Sequence, residues 1–473
     1  MNQQSMEISD LIVANNGLVT VTLRNCFEES VVKTASQAGQ ICYKATVPTA
    51  DDKPLNVKDQ LYAVSHHTTL EHSHFQFRID GISVGGVTFG LHLCHPFYNT
   101  DQRSGRFCTA MFSSPNYEWI MLYLDTYYPT MSDGVKLMIR EYIWDAVQIY
   151  NEYLPRAEEE AKEAFAKERP HASEAVKKNS AKIAQEQMRM FIPVLFPTAL
   201  DYTIDFITLV SMWQVAWTPE MWAVTDLMRD LVIAKFPEAG FAFDPARRLN
   251  GDYGPQLDET LGLVVGEPGW KLLSDSKELD PLTVPKPELM VPTDLLHFLP
   301  EYMNNSTLSI KAEVAFSVAT MGQDQRHRTF SRSEPRFTGT FYLPPLLEEL
   351  NLEKKARQVF GTWKDLWLEI EIPSSLGAVL APYGAMVTYH KEGSMNAFAH
   401  EQAKRLCLCA QEEIYEVSRQ ARNHLYSLGS PAVKLMIPPC YTTGKCAEGA
   451  RYCCGRDLSL RGNDEKFFSR RKI

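Results

Sequence analysis

Two distant segments of the chain share one layout of residues, and this repetition limits the possible folds more than any other feature. The segments are 91–107 and 323–334, and each keeps a different half of the layout intact. The second contains an Arg-His-Arg triplet at 326–328, followed by hydroxyl side chains and a carboxylate. A lone basic triplet is usually a solvated cluster. A degenerate second copy instead predicts one folding unit present twice.

The length of the chain agrees with two units. A chain of 473 residues is too long for a single core and fits two domains of about 200 residues each. We expect a first unit at 1–240, a linker rich in Gly, Pro and Asp at 241–286, and a second unit at 287–473. Alternation at 75–82 predicts a strand, and the pattern at 132–163 predicts a long amphipathic helix.

Composition excludes several classes of protein. Hydrophobic residues make up 45% of the chain and charged residues 22%, which is ordinary for a globular protein. A net charge of −10 argues against coating nucleic acid, because no overall basic field attracts phosphate backbones. We find no apolar run long enough to span a membrane and no signal peptide at the polar start. The expected location is the cytoplasm, with no nucleic-acid or membrane partner.

The ten cysteines do not suggest a disulfide framework in a chain of this size. A long helical stretch is predicted over 396–426, and Cys407 and Cys409 within it are predicted to be buried thiols. Four more cysteines lie among turn residues in the tail. Their spacing lacks a clean pair of Cys-x-x-Cys knuckles, so we expect no metal. The alternative is a structural zinc ion with ligands from this set: Cys440, Cys446, Cys453 and Cys454. The basic end, 461–473, is predicted to fray in solvent.

Three motifs in order resemble the flavin-dependent thymidylate synthases. The first is the His/Thr/Glu/His pattern and following strand at 65–83, the second is the triplet at 326–328, and the third is Arg405 with Ala-Gln-x-Glu-Ile at 410–414. The resemblance implies an α+β fold of two tandem thymidylate synthase-like domains. Each domain would be a mainly antiparallel sheet with long packed helices, and the two would form a pseudo-dimer.

The family builds its nucleotide site from neighbouring subunits, so the resemblance implies that the two units divide one site. The residues that match substrate contacts are Gln102, Ser104, Gly105, Arg106 and Arg189 in the first unit, and Gln323, Arg326 and Arg405 in the second. Arg405 takes the catalytic role in this comparison, because a guanidinium near the pyrimidine stabilises charge that develops on the ring.

The counterparts of these residues are lost in a complementary way. Cys94, His95 and Pro96 stand where the first unit would carry Arg-His-Arg, and Ala378 stands where the second unit would repeat Arg189. Arg405 lies 23 residues after Pro382, whereas the residue 23 positions after Pro193 is Ala216. The second unit's version of the loop that carries Arg106 ends at Arg336 and is two residues shorter. The sequence therefore predicts one intact composite site per chain.

The resemblance also implies FAD as cofactor, with NADPH and methylene-tetrahydrofolate as co-substrates for the conversion of dUMP to dTMP. The residues that match flavin contacts are His66, Thr68, Glu71, His72, Arg326, His327, Arg328 and His400. We expect a homodimer that reproduces the four-unit assembly of the family.

Some positions depart from the family pattern, among them Gln102, Ser394 and Asn396. Two alternatives therefore stay open. One is modification of a different pyrimidine nucleotide, and the other is a non-catalytic paralogue that binds nucleotide or flavin.

Overall fold

The computed structural model describes residues 12–49, 51–93, 98–106, 108, 110–249, 254–257, 264–274, 300–446 and 449–473. This part of the chain contains two sheets with helices packed around them, and nearly all strand pairs are antiparallel. The expected mixture of helices and mainly antiparallel sheet is confirmed. None of the helices in these ranges is both long and apolar enough to cross a lipid bilayer.

The first sheet has the strand order β1-β2-β3-β5-β4, and every pair in it is antiparallel. Its strands are β1 Ile12–Asn15, β2 Thr20–Cys26, β3 His74–Ser83, β4 Tyr98–Gln102 and β5 Pro197–Asp205. Strand β3 forms as the sequence predicts, because Phe75, Phe77 and Ile79 alternate with polar residues and all three are buried.

The second sheet has the order β6-β10-β11-β8-β7, and β9 pairs with β11. Its strands are β6 Val264–Val265, β7 Gly269–Leu272, β8 Ser309–Ser317, β9 Ser331–Arg332, β10 Arg336–Phe341 and β11 Ala385–Ser394. The segment expected to be a linker thus supplies both edge strands, β6 and β7. Strands this short show too little alternation to be recognised from sequence.

Long helices surround both sheets. Those before β6 are Val31–Ile41, Tyr117–Tyr127, Asp133–Glu168, Ala181–Met188, Phe206–Val215 and Pro219–Lys235. Those after β7 include Val318–Asp324, Glu353–Leu368, Ser374–Val379, Met395–Arg405 and Glu412–Ser427. The predicted long helix at 132–163 is confirmed.

A continuous helical stretch over 396–426, which the pattern suggests, is wrong, because the chain turns at 406–411. Backbone carbonyls in this turn bond to distant side chains: Arg456 Nη2 donates to Leu406 O at 2.8 Å and Arg471 Nη1 to Leu408 O at 2.6 Å. Since these guanidiniums satisfy the carbonyls, the helix does not need to continue.

The expectation of a frayed C-terminal end is also wrong. Phe467, Phe468 and Ile473 are buried, and Arg169 Nη2 donates to Ile473 O at 2.8 Å. The aromatic pair supplies apolar area that outweighs the cost of ordering a basic segment.

The two sheets are joined through a reciprocal contact. Val194 N donates to Ala381 O at 2.9 Å, and Tyr383 N donates to Ile192 O at 2.8 Å. Pro193 and Pro382 form an antiparallel bridge between these bonds. The contact holds the end of the helix Ala181–Met188 against the end of the helix Ser374–Val379.

Candidate functional site

A cavity of about 240 Å³ lies where residues of the two halves meet. Its lining includes every residue predicted from the sequence to bind nucleotide: Gln102, Ser104, Gly105, Arg106, Arg189, Gln323, Arg326 and Arg405. Arg103 adds a fifth guanidinium, and no carboxylate is among the described lining residues. A cavity with this balance of charge attracts an anion.

The loop after β4 forms one wall of the cavity. Arg103 N donates to Ala199 O at 2.8 Å, which ties the loop to β5. Ser104 Oγ accepts from Arg106 N at 3.2 Å and closes a tight turn. A Cβ atom at Gly105 would lie 2.9 Å from the ring of Phe112, so the turn needs glycine for close approach.

Two arginines from the first half lie on this side. Arg106 Nη2 forms an ion pair with Glu186 Oε2 at 2.8 Å. Arg189 is buried, and it bonds to neutral oxygens, Glu186 O at 3.2 Å and Gln411 Oε1 at 3.0 Å. Its guanidinium also lies 4.9 Å from the ring centroid of Tyr383. Burial lowers the pKa of Arg189 because the cation has lost hydration. An anion that binds in the cavity would therefore stabilise the charged form of this side chain.

Arg405 from the second half lies across the cavity, at the end of the helix Met395–Arg405. Its Nε donates to His327 Nε2 at 2.8 Å, and its Nη2 donates to Gln323 O. Burial lowers the pKa of Arg405 to about 10, so it remains a cation at neutral pH. Burial and the Arg405 charge together hold the pKa of His327 well below its ordinary value.

Gln411 links the two sides of the cavity. Its Oε1 accepts from Arg189 Nη2 at 3.0 Å and from Gln323 Nε2 at 2.5 Å. Gln411 and Tyr383 were not among the predicted site residues. The Ala-Gln motif that contains Gln411 was a usable signal, whereas Tyr383 had none, because its role comes from stacking under Arg189.

The predicted flavin residues fall into two separate groups. In one, Arg328 Nη1 donates to Asn99 Oδ1 at 2.9 Å, and the rings of His327 and His400 meet edge to face at 5.5 Å. Arg326 belongs to this group and donates to Thr100 O at 3.2 Å. Arg328 also lines a neighbouring cavity of about 680 Å³.

The other group lies apart from this region, on the first half. Its members His66, Thr68, Glu71 and His72 are exposed. The short helix His67–Leu70 packs against the helices Val31–Ile41 and Phe206–Val215. Cys94, His95 and Pro96, which stand in place of the triplet in this half, lie outside the described residues.

Of the four tail cysteines, only Cys454 belongs to a group of three close thiols found in the described structure. Its neighbours are Cys407 and Cys409, in the turn at 406–411. The prediction that Cys407 and Cys409 are buried thiols is wrong, since Cys409 is exposed and Cys407 is partly exposed. The break in the predicted helix explains the difference.

Comparison with known proteins finds a family match for part of the chain. Residues 19–238 match a family model described as thymidylate synthase complementing protein. Two crystal structures of a flavin-dependent thymidylate synthase from Helicobacter pylori, with FAD and dUMP, are similar to parts of the chain. One is 15% identical and covers 48% of this chain and 99% of its own, with a TM-score of 0.31. The other is 14% identical and covers 49% and 99%, with a TM-score of 0.30. No curated protein gives a significant match.

Proposed function

We propose that this chain, whose residues 19–238 match the thymidylate synthase complementing protein family, is a flavin-dependent thymidylate synthase. It would convert dUMP to dTMP with FAD, methylene-tetrahydrofolate and NADPH, using one composite site per chain. The observation that carries the proposal is the cationic cavity, because its lining unites the predicted nucleotide residues of both halves. Random decay of an inactive paralogue would erode both halves of a site, whereas here each half survives in one of the two segments.

The side of the cavity near Arg106 and Arg189 suits the phosphate of a mononucleotide. Two guanidiniums can hold a phosphate through charge-assisted hydrogen bonds, and the Ser104 hydroxyl can donate a further bond. The cavity of about 240 Å³ is small, which favours a single nucleotide over a longer chain.

The opposite side suits the base. Bonds to His327 and to Gln323 O fix the orientation of the Arg405 guanidinium at the wall of the cavity. A cation held in this way stabilises negative charge as it develops on the pyrimidine, and it needs no reorganisation during the reaction. The role of Arg405 is therefore electrostatic, and no side chain of the protein has to act as a nucleophile.

The residues present also fit FAD. Arg328 Nε is buried and has no hydrogen-bond partner among the described residues, which fits a missing acceptor at this position. The Arg326 and Arg328 guanidiniums would hold the cofactor's phosphates, and the edge of His327 would contact it. FAD, when bound and reduced by NADPH, supplies the hydride for this reaction. The exposed group at 66–72 would reach the cofactor from a second copy of the chain, which favours a homodimer.

The proposal includes a duplication, in which the units 1–240 and 287–473 are copies and β6 and β7 extend the second. Two buried carboxylates support it. Glu220 Oε1 accepts from Ser83 N at 2.7 Å, and Glu413 Oε1 accepts from Ser317 N at 2.6 Å. Both serines end an interior strand of their sheet and cap the helical turn that follows. The reciprocal bonds around Pro193 and Pro382 have the form expected at a two-fold axis.

If the two units are copies, apolar side chains occupy the position that corresponds to the composite cavity, which supports a single site. Phe89 lies as far beyond Ser83 as Gln323 lies beyond Ser317. Its ring packs on Phe337 at 5.5 Å, and Phe337 packs on Trp363 at 5.2 Å. No cation could enter such a cluster without losing its hydration.

Two measurements test the proposal. The purified protein is expected to show an oxidised-flavin absorption spectrum, and with NADPH and methylene-tetrahydrofolate it should release tritium from 5-tritiated dUMP and form dTMP. A yellow protein that leaves dUMP unchanged would overturn the assigned reaction. A protein that binds no flavin after incubation with FAD would overturn the assignment as a flavoenzyme.

A further inference from the structure

A group of three thiols lies outside the nucleotide cavity. Cys407 and Cys409 come from the turn at 406–411, and Cys454 comes from the C-terminal segment. The three sulfur atoms all lie within 4.8 Å of one another. Cys454 is 3% exposed and Cys409 is exposed, so the group extends from beneath the surface to solvent. The chain thus brings together thiols that are separated by more than forty residues of sequence.

Two arginines hold the backbone that carries these thiols. Arg456, two residues after Cys454, donates from Nη2 to Leu406 O at 2.8 Å, beside Cys407. Arg471 donates from Nη1 to Leu408 O at 2.6 Å, between Cys407 and Cys409. The turn and the C-terminal segment are therefore fixed relative to each other by contacts that do not use sulfur, and the thiols are preorganised.

Cationic guanidiniums surround the three thiols. The buried Arg169 attracts Cys409 and Cys454 electrostatically, and Arg456 attracts Cys454. A divalent cation bound by three or four thiolates has a net negative charge, which these guanidiniums would balance.

We propose that Cys407, Cys409 and Cys454 bind a structural zinc ion. Zinc prefers tetrahedral thiolate sites with Zn–S bonds of about 2.3 Å, which place sulfur atoms about 3.8 Å apart. Only a small contraction of the present group is needed to reach this spacing. The fourth position would be taken by a water molecule or by Cys440, a buried thiol that lies outside the group of three.

The ion would stabilise one wall of the nucleotide cavity without touching its contents. None of these cysteines lines the cavity, but Cys409 O accepts from Arg106 Nη2 at 3.4 Å. Cys407 also follows Arg405 by two residues. By linking this turn to the C-terminal segment, the ion would keep Arg106 and Arg405 in position at the cavity wall.

The test measures metal directly and does not depend on activity. Full-length protein, produced with zinc and purified under reducing conditions, is expected to contain about one equivalent of zinc by elemental analysis. Cys407→Ser and Cys454→Ser should each lose nearly all of it. Cys453→Ser is the matched control, because Cys453 neighbours Cys454 but lies outside the group, and it should keep its zinc.

Cobalt substitution covers the case in which a serine variant fails to fold. Wild-type protein loaded with Co²⁺ is expected to show thiolate-to-cobalt charge transfer and the visible bands of a tetrahedral ion. Wild-type protein that takes up neither metal would overturn the proposal. It would also be overturned if thiol titration showed that Cys454 forms a disulfide with Cys407 or Cys409, or if Cys453→Ser lost zinc as fully as Cys454→Ser.

Discussion

Arg405 Nε donates a hydrogen bond to His327 Nε2 at 2.8 Å. A guanidinium has no acceptor, so His327 must offer a lone pair at Nε2 and carry its proton on Nδ1. The depressed pKa of His327, caused by burial and then by the Arg405 charge, agrees with a neutral ring. The pair thus carries a single positive charge, and the imidazole holds the guanidinium in place without repelling it.

Removing an arginine from either side of the composite site should strongly reduce turnover of dUMP. We expect Arg106→Ala and Arg405→Ala each to reduce dUMP turnover at least tenfold to a hundredfold, because a lost hydrogen bond to a charged group costs about 1.5 to 3 kcal/mol. Steady-state assays of purified variants measure this. Cys94→Ala and Arg336→Ala are the controls, expected to stay within a few-fold of wild type. Near-normal activity of either cavity variant would contradict the one-site proposal.

Arg328 should be needed for flavin retention. Arg328→Ala is expected to weaken FAD binding about tenfold or more, because it removes a charged fork from the proposed cofactor site. The flavin-to-protein absorbance ratio and FAD titration of the apoprotein measure the effect. Asn99→Ala removes the internal partner of Arg328 but leaves the guanidinium, so it should keep its flavin. Equal flavin loss in both variants would point to a structural effect.

Elements of the fold were predictable where the signal was local. Strand β3 follows from alternation within ten residues, whereas the break at 406–411 depends on Arg456 and Arg471, about fifty to sixty residues later. No pattern near 406 reports those contacts. The same applies to the buried end of the chain, since Phe467 looks like part of a basic tail until its packing partners are known.

The residues that line the candidate nucleotide site could be predicted from the sequence more completely than the residues that support them. The nucleotide residues lie in compact motifs, so each could be recognised separately, and the cavity gathers them. The motifs assign the flavin residues at 66–72 to the first unit and those at 326–328 to the second, but a motif does not say whether the two groups meet within one chain or between two chains. Gln411 lies in a recognisable motif, but its bonds to Arg189 and Gln323 become visible only in the folded structure.

A buried carboxyl should make the protein less stable as pH rises. Burial first, and then the charges of Glu186 and Glu413, raise the pKa of Glu412 from 4.5 to about 8. Between those values the folded chain keeps a proton that the unfolded chain has lost, so stability falls as pH increases. Glu412→Gln should remove this part of the slope and be more stable than wild type at about pH 8, by a few kcal/mol at most, at about 1.4 kcal/mol per pKa unit.

Urea unfolding at about pH 5 and about pH 8 measures this difference. The exposed Glu353, which pairs with Arg357 on one helix, provides the control variant Glu353→Gln. Its unfolding midpoint should follow that of wild type at both pH values. Parallel pH profiles for Glu412→Gln and wild type would show that the buried carboxyl does not titrate in this window.

Two inactive variants should complement each other if two chains share each flavin site. We expect His66→Ala and Arg328→Ala to be impaired alone, because they alter opposite sides of the proposed site. In a mixed dimer one flavin site carries both changes and the other carries neither. After complete exchange of equal amounts, half of the dimers are mixed and half of their sites are intact, so activity should recover to about a quarter of wild type.

Native mass spectrometry confirms the exchange, and a mixture of Arg328→Ala with Arg326→Ala, which alter the same side, should show no recovery. If mixed dimers of His66→Ala and Arg328→Ala stay inactive, the two groups of residues do not form one flavin site shared between two chains.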